Sequence, residues 1–592
     1  MKFSIKNITR ALRIIWKSSP LWSIVNIVLS IIKGVLPLIL IYIVKLVIDN
    51  VNMIVSTGKP LLTDGDMINI FVLAGVFFLL NALTGSVNSL IREKQSYLVN
   101  DYIQNLIHKK TINIPYGYFE DSKYQNIFYR AIEESSYRPA KVFYGILGLL
   151  QNSITLGLIV GILMTLHWGL LPYLILVSIP IIVFKLYYSK LFYNLRRDQT
   201  EEERKVNYFN RLLTSKDFAK ELRIFNLGDL FKRRHESLKH KLRSKRYRLL
   251  KSRTLWETLV QILATIFLLV IFGFIIYSTV TKRITTGDMA MYFLALHRGY
   301  TVLQEWLMRI ASLYEDNLFL KNFFDFLQIE VKKDTSANLH FPKPVKQGIT
   351  FKDVSFKYPN TKRWVLKNLN ITINEGETVA LVGSNGAGKT TLVKLLAGLY
   401  KPTSGTITVD GTDWTQIKKD ELADAVSVIF QDFMLYNVSA KDNIWYGNIR
   451  NQPDDKSIHD AAQNAGIHEI FMNLPEGYDT TLGTLFKNSE QLSRGEWQRT
   501  ALARSFFNKA QLIILDEPTS SLDAFTEAKL INHFKEITSN RTSIIISHRM
   551  TTIKLADRIV VIDGNSICET GSHEELLKKN GVYKKMINSL NQ

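Results

Sequence analysis

Up to about position 314 the chain alternates long apolar runs with charged stretches, and this alternation predicts its organisation. Six runs approach the roughly 20 apolar residues that a helix needs to cross a bilayer: 20–48, 67–91, 142–166, 168–193, 256–281 and 286–314. The first is interrupted by Lys33 and Lys45, and the sixth by Arg298, Glu305 and Arg309. The connections 92–141 and 194–255 keep a helical period among many charges, so helices there should continue past the spans. Each holds a punctuated stretch suited to a short transverse helix: "IPYGYFEDSKYQNIFYR" (Ile114–Arg130) and "ELRIFNLGDLFKRR" (Glu221–Arg234), with Gly228 as a break. Before the first span, Met1–Lys17 sets Ile5, Ile8, Leu12 and Ile15 on one helical face and Lys6, Arg10, Arg13 and Lys17 on another. That pattern predicts an interfacial helix on the inner membrane surface, and no cleavable signal pattern follows it. A polar, Pro-containing stretch within 331–347 reads as a linker, after which composition becomes that of a soluble domain. The expected division is therefore 1–330 transmembrane, 331–347 linker and 348–592 soluble.

Charge refines the topology. The first outer connection is acidic, with Asp49, Asp64 and Asp66 against Lys59; the second, near His167-Trp168, is almost absent; the third breaks the trend with Lys282 and Arg283. The long inner connections carry far more Lys and Arg, which places both termini in the cytoplasm. A net charge of +21 fits this asymmetry, and no nucleic-acid recognition module accompanies it. The basic run Phe231–Arg253 reads as a solvated helix face, with lipid headgroups or an acidic cargo segment as the alternative. Arg298 and Glu305 share a helical face, and Glu305 and Arg309 form an i,i+4 pair. With Lys33 near mid-membrane, these charges suit either mutual pairing within the bundle or a polar cargo path. Cys568 is the sole cysteine, which excludes an intrachain disulfide and argues against thiolate chemistry.

The soluble half carries the chemistry. "ETVALVGSNGAGKTTLVKLLAGL" is a β-rich run, Thr378–Val382, then Gly383-Ser384-Asn385-Gly386-Ala387-Gly388-Lys389-Thr390-Thr391, then a helix with Leu at helical spacing. In that strand–loop–helix context the pattern is a phosphate loop. Its backbone N–H groups and helix N-terminus face phosphate, Lys389 neutralises the β- and γ-phosphates of ATP, and Thr390 offers its hydroxyl to Mg²⁺. In "QLIILDEPTSSLDA" a buried strand, Leu512–Leu515, ends at Asp516, suited to Mg²⁺, and Glu517, placed to orient or deprotonate the attacking water. "TSIIISHR" ends at His548, which can donate to a γ-phosphate. Gln431, after another apolar strand, could touch Mg²⁺ or that water, and Tyr358 could stack on adenine. Ser493 and Gly495, in "LSRGE", open a helix and could also meet an anion.

This order of motifs resembles the ATPase domain of ABC transporters. With six preceding spans and long inner loops, the whole chain is similar to an exporter-type half-transporter. The resemblance implies a membrane all-α six-helix domain with cytoplasmic helical extensions, followed by an α/β P-loop ATPase. It also implies that Ser493, Gly495 and Asp523 ("SSLD") cover nucleotide on a second ATPase domain, so a dimer is required. Intact Glu517 and His548 favour a homodimer. Arg494 stands where the family prefers glycine. "LGTLF…QLSRGEWQ" and "SVIFQDFMLYNVSAKDNI" are similar to exporters of lantibiotics and related ribosomally made peptides; no room remains before the first span for a cysteine-protease domain. The implied function is ATP-driven export of a modified peptide across a bacterial cytoplasmic membrane, in contact with membrane lipid. A lipid or drug exporter, an importer on the same fold, and an ATP-gated channel or sensor are the alternatives.

Overall fold

A computed structural model describes residues 5–57, 64–135, 137–329, 338–538 and 541–590. The chain divides into two compact units: Met1–Ile114 with Ser122–Glu330, and Pro115–Asp121 with Val331–Gln592.

The first unit is helical: α1 (Ile5–Ser18), α2 (Pro20–Thr57), α3 (Asp64–Asn113), α4 (Ser122–Ser135), α5 (Arg138–Leu166), α6 (Leu170–Asp198), α7 (Thr200–Thr214), α8 (Lys216–Ile224), α9 (Gly228–Val280) and α10 (Thr286–Leu327). The six apolar runs fall on α2, α3, α5, α6, α9 and α10; α3 and α9 continue well beyond them, as the helical period of the charged connections predicts, and α10 also runs on past its own to Leu327. Among the described residues α2, α3, α5 and α9 contain a stretch long and apolar enough to span a bilayer. The charges Arg298, Glu305 and Arg309 lower the hydropathy of α10, which packs along α5, α2 and α6. Apolar side chains of α2, α5, α9 and α10 form one core around Ile159, Ile275, Ala295 and Leu296.

Several sequence expectations are refined. Helix α1 buries Ala11, Ile14 and Ile15 and contacts α3, α5 and α10, while Ile8 and Leu12 stay half-buried, so only part of its apolar face is taken by protein. Arg10, expected on the polar face, lies over the Phe324 ring at 5.6 Å. The first transverse stretch is a single 3₁₀ turn, Tyr116–Tyr118, followed by α4. The second is α8, and the break precedes Gly228: Asn226 takes φ 49°, and Gly228 already begins α9. Asp49, expected in an outer loop, accepts a hydrogen bond from Gly287 N at 2.9 Å at the start of α10. Beside it, Lys45 pairs with Asp288 at 2.6 Å. Glu305 accepts from Asn152 at 3.3 Å, and among the described residues it forms no ion pair with Arg309. One deeply buried charge pair was not singled out by the sequence reading. Arg138 and Asp316 are 2% and 1% exposed and bonded to each other, and the Arg138 guanidinium lies 3.8 Å from the centre of the Phe319 ring.

The second unit is built on two sheets. Strands β1 (Ile349–Phe356), β2 (Leu366–Ile373), β4 (Ser404–Val409) and β5 (Thr412–Asp413) form an antiparallel sheet in the order β2-β1-β4-β5. Strands β3 (Thr378–Gly383), β6 (Val426–Ile429), β7 (Leu512–Asp516), β8 (Thr542–Ile546), β9 (Arg558–Asp563) and β10 (Ser566–Gly571) form the other, in the order β10-β9-β3-β8-β7-β6. Its pairs are parallel except β9 with β10. The parallel strands are continuous apolar runs because both faces are covered: β3, β7 and β8 are buried throughout. Helix α11 (Lys389–Leu396) follows β3; α12 (Lys419–Ala425) precedes β6; α13 (Ala440–Trp445), α14 (Asp455–Asn464), α15 (His468–Met472) and α16 (Arg494–Phe507) lie between β6 and β7; and α17 (Ala524–Thr538) precedes β8. Of the expected linker, 331–337 lies outside the described residues. Its remainder is packed into this unit: Phe341 and Val345 are buried in the core, and Asp410 accepts from Lys346, Gln347 and Gly348 N.

Candidate nucleotide site

In an open parallel sheet, ligands collect beyond the carboxyl ends of the strands. Register brings the motif residues to that edge. Leu381 of β3 stands opposite Ile546 of β8, Leu515 of β7 opposite Ile545, and Ile429 of β6 opposite Leu515. The chain leaving each strand therefore delivers Gly383–Gly388, His548, Glu517 and Gln431 to one place. A cavity of about 740 Å³ lies there, lined by Tyr358, Lys389, Thr390, Gln431, Glu517 and His548 among others.

The loop after β3 turns through Gly386 (φ 81°) and Gly388 (φ 104°), backbone angles that glycine adopts without penalty. At Gly388 a side chain is excluded twice over, because a Cβ would also approach Leu366 Cδ2 to 2.5 Å. Lys389 is buried and donates from Nζ to Gly383 O at 2.7 Å and Ser384 O at 3.1 Å, so its ammonium sits inside the loop. Burial pushes its pKa down, because the charged form loses water. Thr390 donates to Asp516 Oδ2 at 3.0 Å. Burial raises the Asp516 pKa in spite of that bond. Gln431 donates to Glu517 Oε2 at 2.8 Å, and His548 Nε2 lies 3.7 Å from Glu517 Oε1. Tyr358 shares a hydroxyl bond with Thr391 at 3.0 Å, and its ring meets Phe356 and Tyr400 edge-on. A hydroxyl, a carboxylate and an amide oxygen are the hard donors that suit Mg²⁺, so Thr390, Asp516 and Gln431 fit that ion. The loop, the Glu517 carboxylate and the oxygen set together have the chemistry to bind a nucleoside triphosphate and to orient a water at its terminal phosphate.

Glu517 itself is strained. It takes φ 51°, an angle costly for a residue with a side chain, immediately after β7. Three bonds to its backbone hold it: its N–H donates to Ile546 O at 2.8 Å, and its carbonyl accepts from Gln498 Nε2 at 2.9 Å and from Ser520 N at 3.3 Å. The sequence reading missed Gln498, whose signal was its place in "GEWQR" one turn past Arg494. It also missed Thr361, Arg363, Val365 and Asn565 on the cavity wall. They come from loops far apart in sequence, joined where Asn565 Nδ2 donates to Trp364 O and Val365 O.

Ser493, Gly495 and Asp523 are not among the residues lining this cavity. Ser493 caps α16 in a reciprocal box, its Oγ accepting from Glu496 N while Glu496 accepts from Ser493 N at 2.7 Å. Arg494, the next residue, is exposed. Asp523 caps α17, accepting from Phe525 N, Thr526 N and Thr526 Oγ1. The segment Pro115–Asp121 packs beside the Tyr358 cluster: Glu120 accepts from Tyr400 at 2.6 Å and Lys394 at 3.1 Å. Glu120 raises the pKa of both partners by favouring their protonated forms, adding to burial at Tyr400 and opposing it at Lys394.

Residues 366–520 match the family described as ABC transporter, and residues 23–299 match the ABC transporter transmembrane region. The subtilin transport ATP-binding protein of Bacillus subtilis is 31% identical over 95% of this chain and 90% of its own length. The nisin transport ATP-binding protein of Lactococcus lactis is 28% identical over 99% of this chain and 96% of its own. An ATP-dependent lipid A-core flippase of Alkalilimnicola ehrlichii is 35% identical over 55% of this chain and 54% of its own. In fold, a bacterial Atm1-family ABC exporter solved with ATP bound superposes with TM-score 0.79 at 21% identity, covering 96% of this chain and 98% of that one. Motifs, sheet topology and full-length similarity agree: the chain belongs to the ABC transporter family, as an integral membrane exporter with its transmembrane region and its ATP-hydrolysing domain fused in one polypeptide.

Proposed function

We propose that this protein exports a ribosomally made, modified peptide, working as a homodimer in a bacterial cytoplasmic membrane with both termini and the ATPase domain in the cytoplasm. The observation that carries the cargo class is the extent of similarity. The subtilin and nisin transport proteins align over nearly the whole chain, whereas the lipid flippase aligns over about half. Lipid or drug cargo is the competing reading.

In this mechanism Tyr358 stacks on adenine. Gly383, Ser384, Asn385, Gly386, Ala387, Gly388, Lys389, Thr390 and Thr391 wrap the phosphates. Thr390, Asp516 and Gln431 hold Mg²⁺, which supplies charge neutralisation at the β- and γ-phosphates. Glu517 takes the proton of the attacking water, Gln431 orients that carboxylate, and His548 contacts the terminal phosphate. Ser493, Gly495 and Asp523 lie outside the cavity of their own chain, which supports their acting on the nucleotide of the second ATPase domain. Closure of two such domains turns the transmembrane cavity outward, and hydrolysis resets it.

The test is ATP hydrolysis by the chain purified alone in lipid, beside Glu517→Gln, and ATP-dependent uptake of a labelled precursor peptide into inside-out vesicles. Sigmoidal turnover, a dead variant and peptide uptake are expected. Turnover without uptake of peptide, with transbilayer movement of lipid in its place, overturns the cargo reading. Nucleotide binding without hydrolysis moves the channel or sensor reading ahead.

A further inference from the structure

Three cations from three helices converge on one face of α5. Arg92, on α3, has its guanidinium carbon 5.1 Å from the centre of the Tyr144 ring, and Tyr144 donates to Arg92 O at 2.8 Å. One turn along α5 lies Gly148. A Cβ there would come within 2.2 Å of Arg309 Cζ, so the guanidinium of Arg309, on α10, occupies the space that a side chain would fill. A further turn along, α2 meets α5: a Cβ on Gly34, the neighbour of Lys33, would touch Gln151 O at 3.0 Å, and Thr155 donates to Gly34 O at 2.7 Å. Positions 144, 148 and 151 share a helical face.

These charges lack a direct ion-pair partner. Arg92 lies within electrostatic reach of both Lys33 and Arg309, so the cluster repels itself. The Nε atoms of Arg92 and Arg309 are buried without an acceptor. Among the described residues, the side chains of Lys33, Arg92 and Arg309 form no ion pair. The nearby carboxylate, Glu305, is engaged by Asn152. Charges taken out of water are usually paired, and cations within a span or at its inner end that lack an ion-pair partner mark a ligand path.

We propose that Lys33, Arg92 and Arg309 form a binding site for carboxylate side chains of the peptide cargo, with Gly148 as the notch that seats Arg309. Two guanidinium groups offer the planar forks that grip carboxylates. The acceptor oxygen of Glu305 beside them suits the N–H groups of a peptide better than it suits a phosphate. The inference rests on the peptide reading above.

The test uses the full chain in nanodiscs and two fluorescein-labelled amphipathic peptides, one bearing Asp and Glu, the other Asn and Gln at the same positions. Binding is read by anisotropy, in phosphatidylcholine and again with phosphatidylglycerol added. For wild type the acidic peptide should bind about tenfold tighter than its amide twin, equivalent to about 1.4 kcal/mol. Arg92→Gln/Arg309→Gln should erase that ratio, and Gly148→Ala, which keeps every charge, should reduce it. The ratio within one preparation cancels any loss of folded protein. A ratio unchanged in the double variant overturns the proposal and leaves the cluster to the second protomer. Competition by phosphatidylglycerol that abolishes the acidic preference overturns it in favour of lipid phosphate. Equal binding of both peptides refutes the site but leaves peptide export standing. No binding of either peptide to wild type refutes both.

Discussion

Replacing Gln498 with Leu should separate catalysis from nucleotide binding. The Gln498 side chain is buried and spans the gap between α16 and the strained turn after β7. Its Nε2 donates to Glu517 O at 2.9 Å and Ser520 Oγ at 3.3 Å, and its Oε1 accepts from Ser521 N at 2.9 Å. Leucine fills most of the volume and makes none of these bonds. The Ser521 N–H is then left without its acceptor, at about 1–3 kcal/mol, while the Glu517 carbonyl keeps only the longer bond from Ser520 N at 3.3 Å. Because Ser521 is only half-buried and water can reach it, we expect about 1–3 kcal/mol in total. That cost falls on a residue already in the left-handed region, which is itself unfavourable by about 1–2 kcal/mol. With the shorter of the two bonds to its carbonyl gone, Glu517 relaxes, and a base displaced by about 1 Å loses on the order of 100-fold in rate. Gln498 is not among the residues lining the nucleotide cavity, so KM for ATP should stay within about twofold. Steady-state hydrolysis in nanodiscs across an ATP titration measures both quantities, with Glu517→Gln as the floor. Turnover within about threefold of wild type, or a raised KM at unchanged kcat, would refute the clamp.

Asp516→Asn should abolish Mg²⁺-dependent turnover and yet raise the melting temperature at neutral pH. A carboxyl whose folded pKa is raised binds more protons folded than unfolded, so stability falls as pH rises through that interval, and the penalty is complete above the folded pKa. A lower melting temperature for the variant at pH 7 would contradict this. Tyr358→Ala should weaken ATP binding by roughly 5–100-fold, the equivalent of about 1–3 kcal/mol of base stacking. Tyr358→Phe should stay near wild type, because it loses only the bond to Thr391; titration with a fluorescent ATP analogue separates the two. Asp316→Ala should destabilise the transmembrane unit by about 3–5 kcal/mol, since it removes the nearer carboxylate of Arg138, leaving Glu315 at 4.0 Å, and the acceptor of Lys141 and Ser312. Replacing both partners with apolar residues, Arg138→Met/Asp316→Leu, should recover much of that loss in a detergent melting series.

What the sequence determined is what short stretches of chain decide for themselves. Apolar runs of spanning length become helices because lipid leaves the backbone no other partner than itself, and the charged helical period carried α3 and α9 past those runs. The phosphate loop was legible because its glycines, Lys389 and Thr390 are consecutive and act through one strand–turn–helix. Asp516 and Glu517 were legible because they end a strand that is apolar throughout. Tertiary structure decided what depends on residues far apart. Parallel register alone brings Gln431, Glu517 and His548 to one edge, and only there is Gln498 seen to hold the Glu517 carbonyl. Arg138 is buried because Asp316, on another helix, meets it inside the unit. Glu305 and Arg309 sit at pairing distance in sequence, but α5 separates their fates: Asn152 engages the carboxylate while Gly148 seats the guanidinium. A local pattern fixes which face a side chain leaves from. Which charge waits on the opposite helix is set by packing, and a linear pattern holds no record of that.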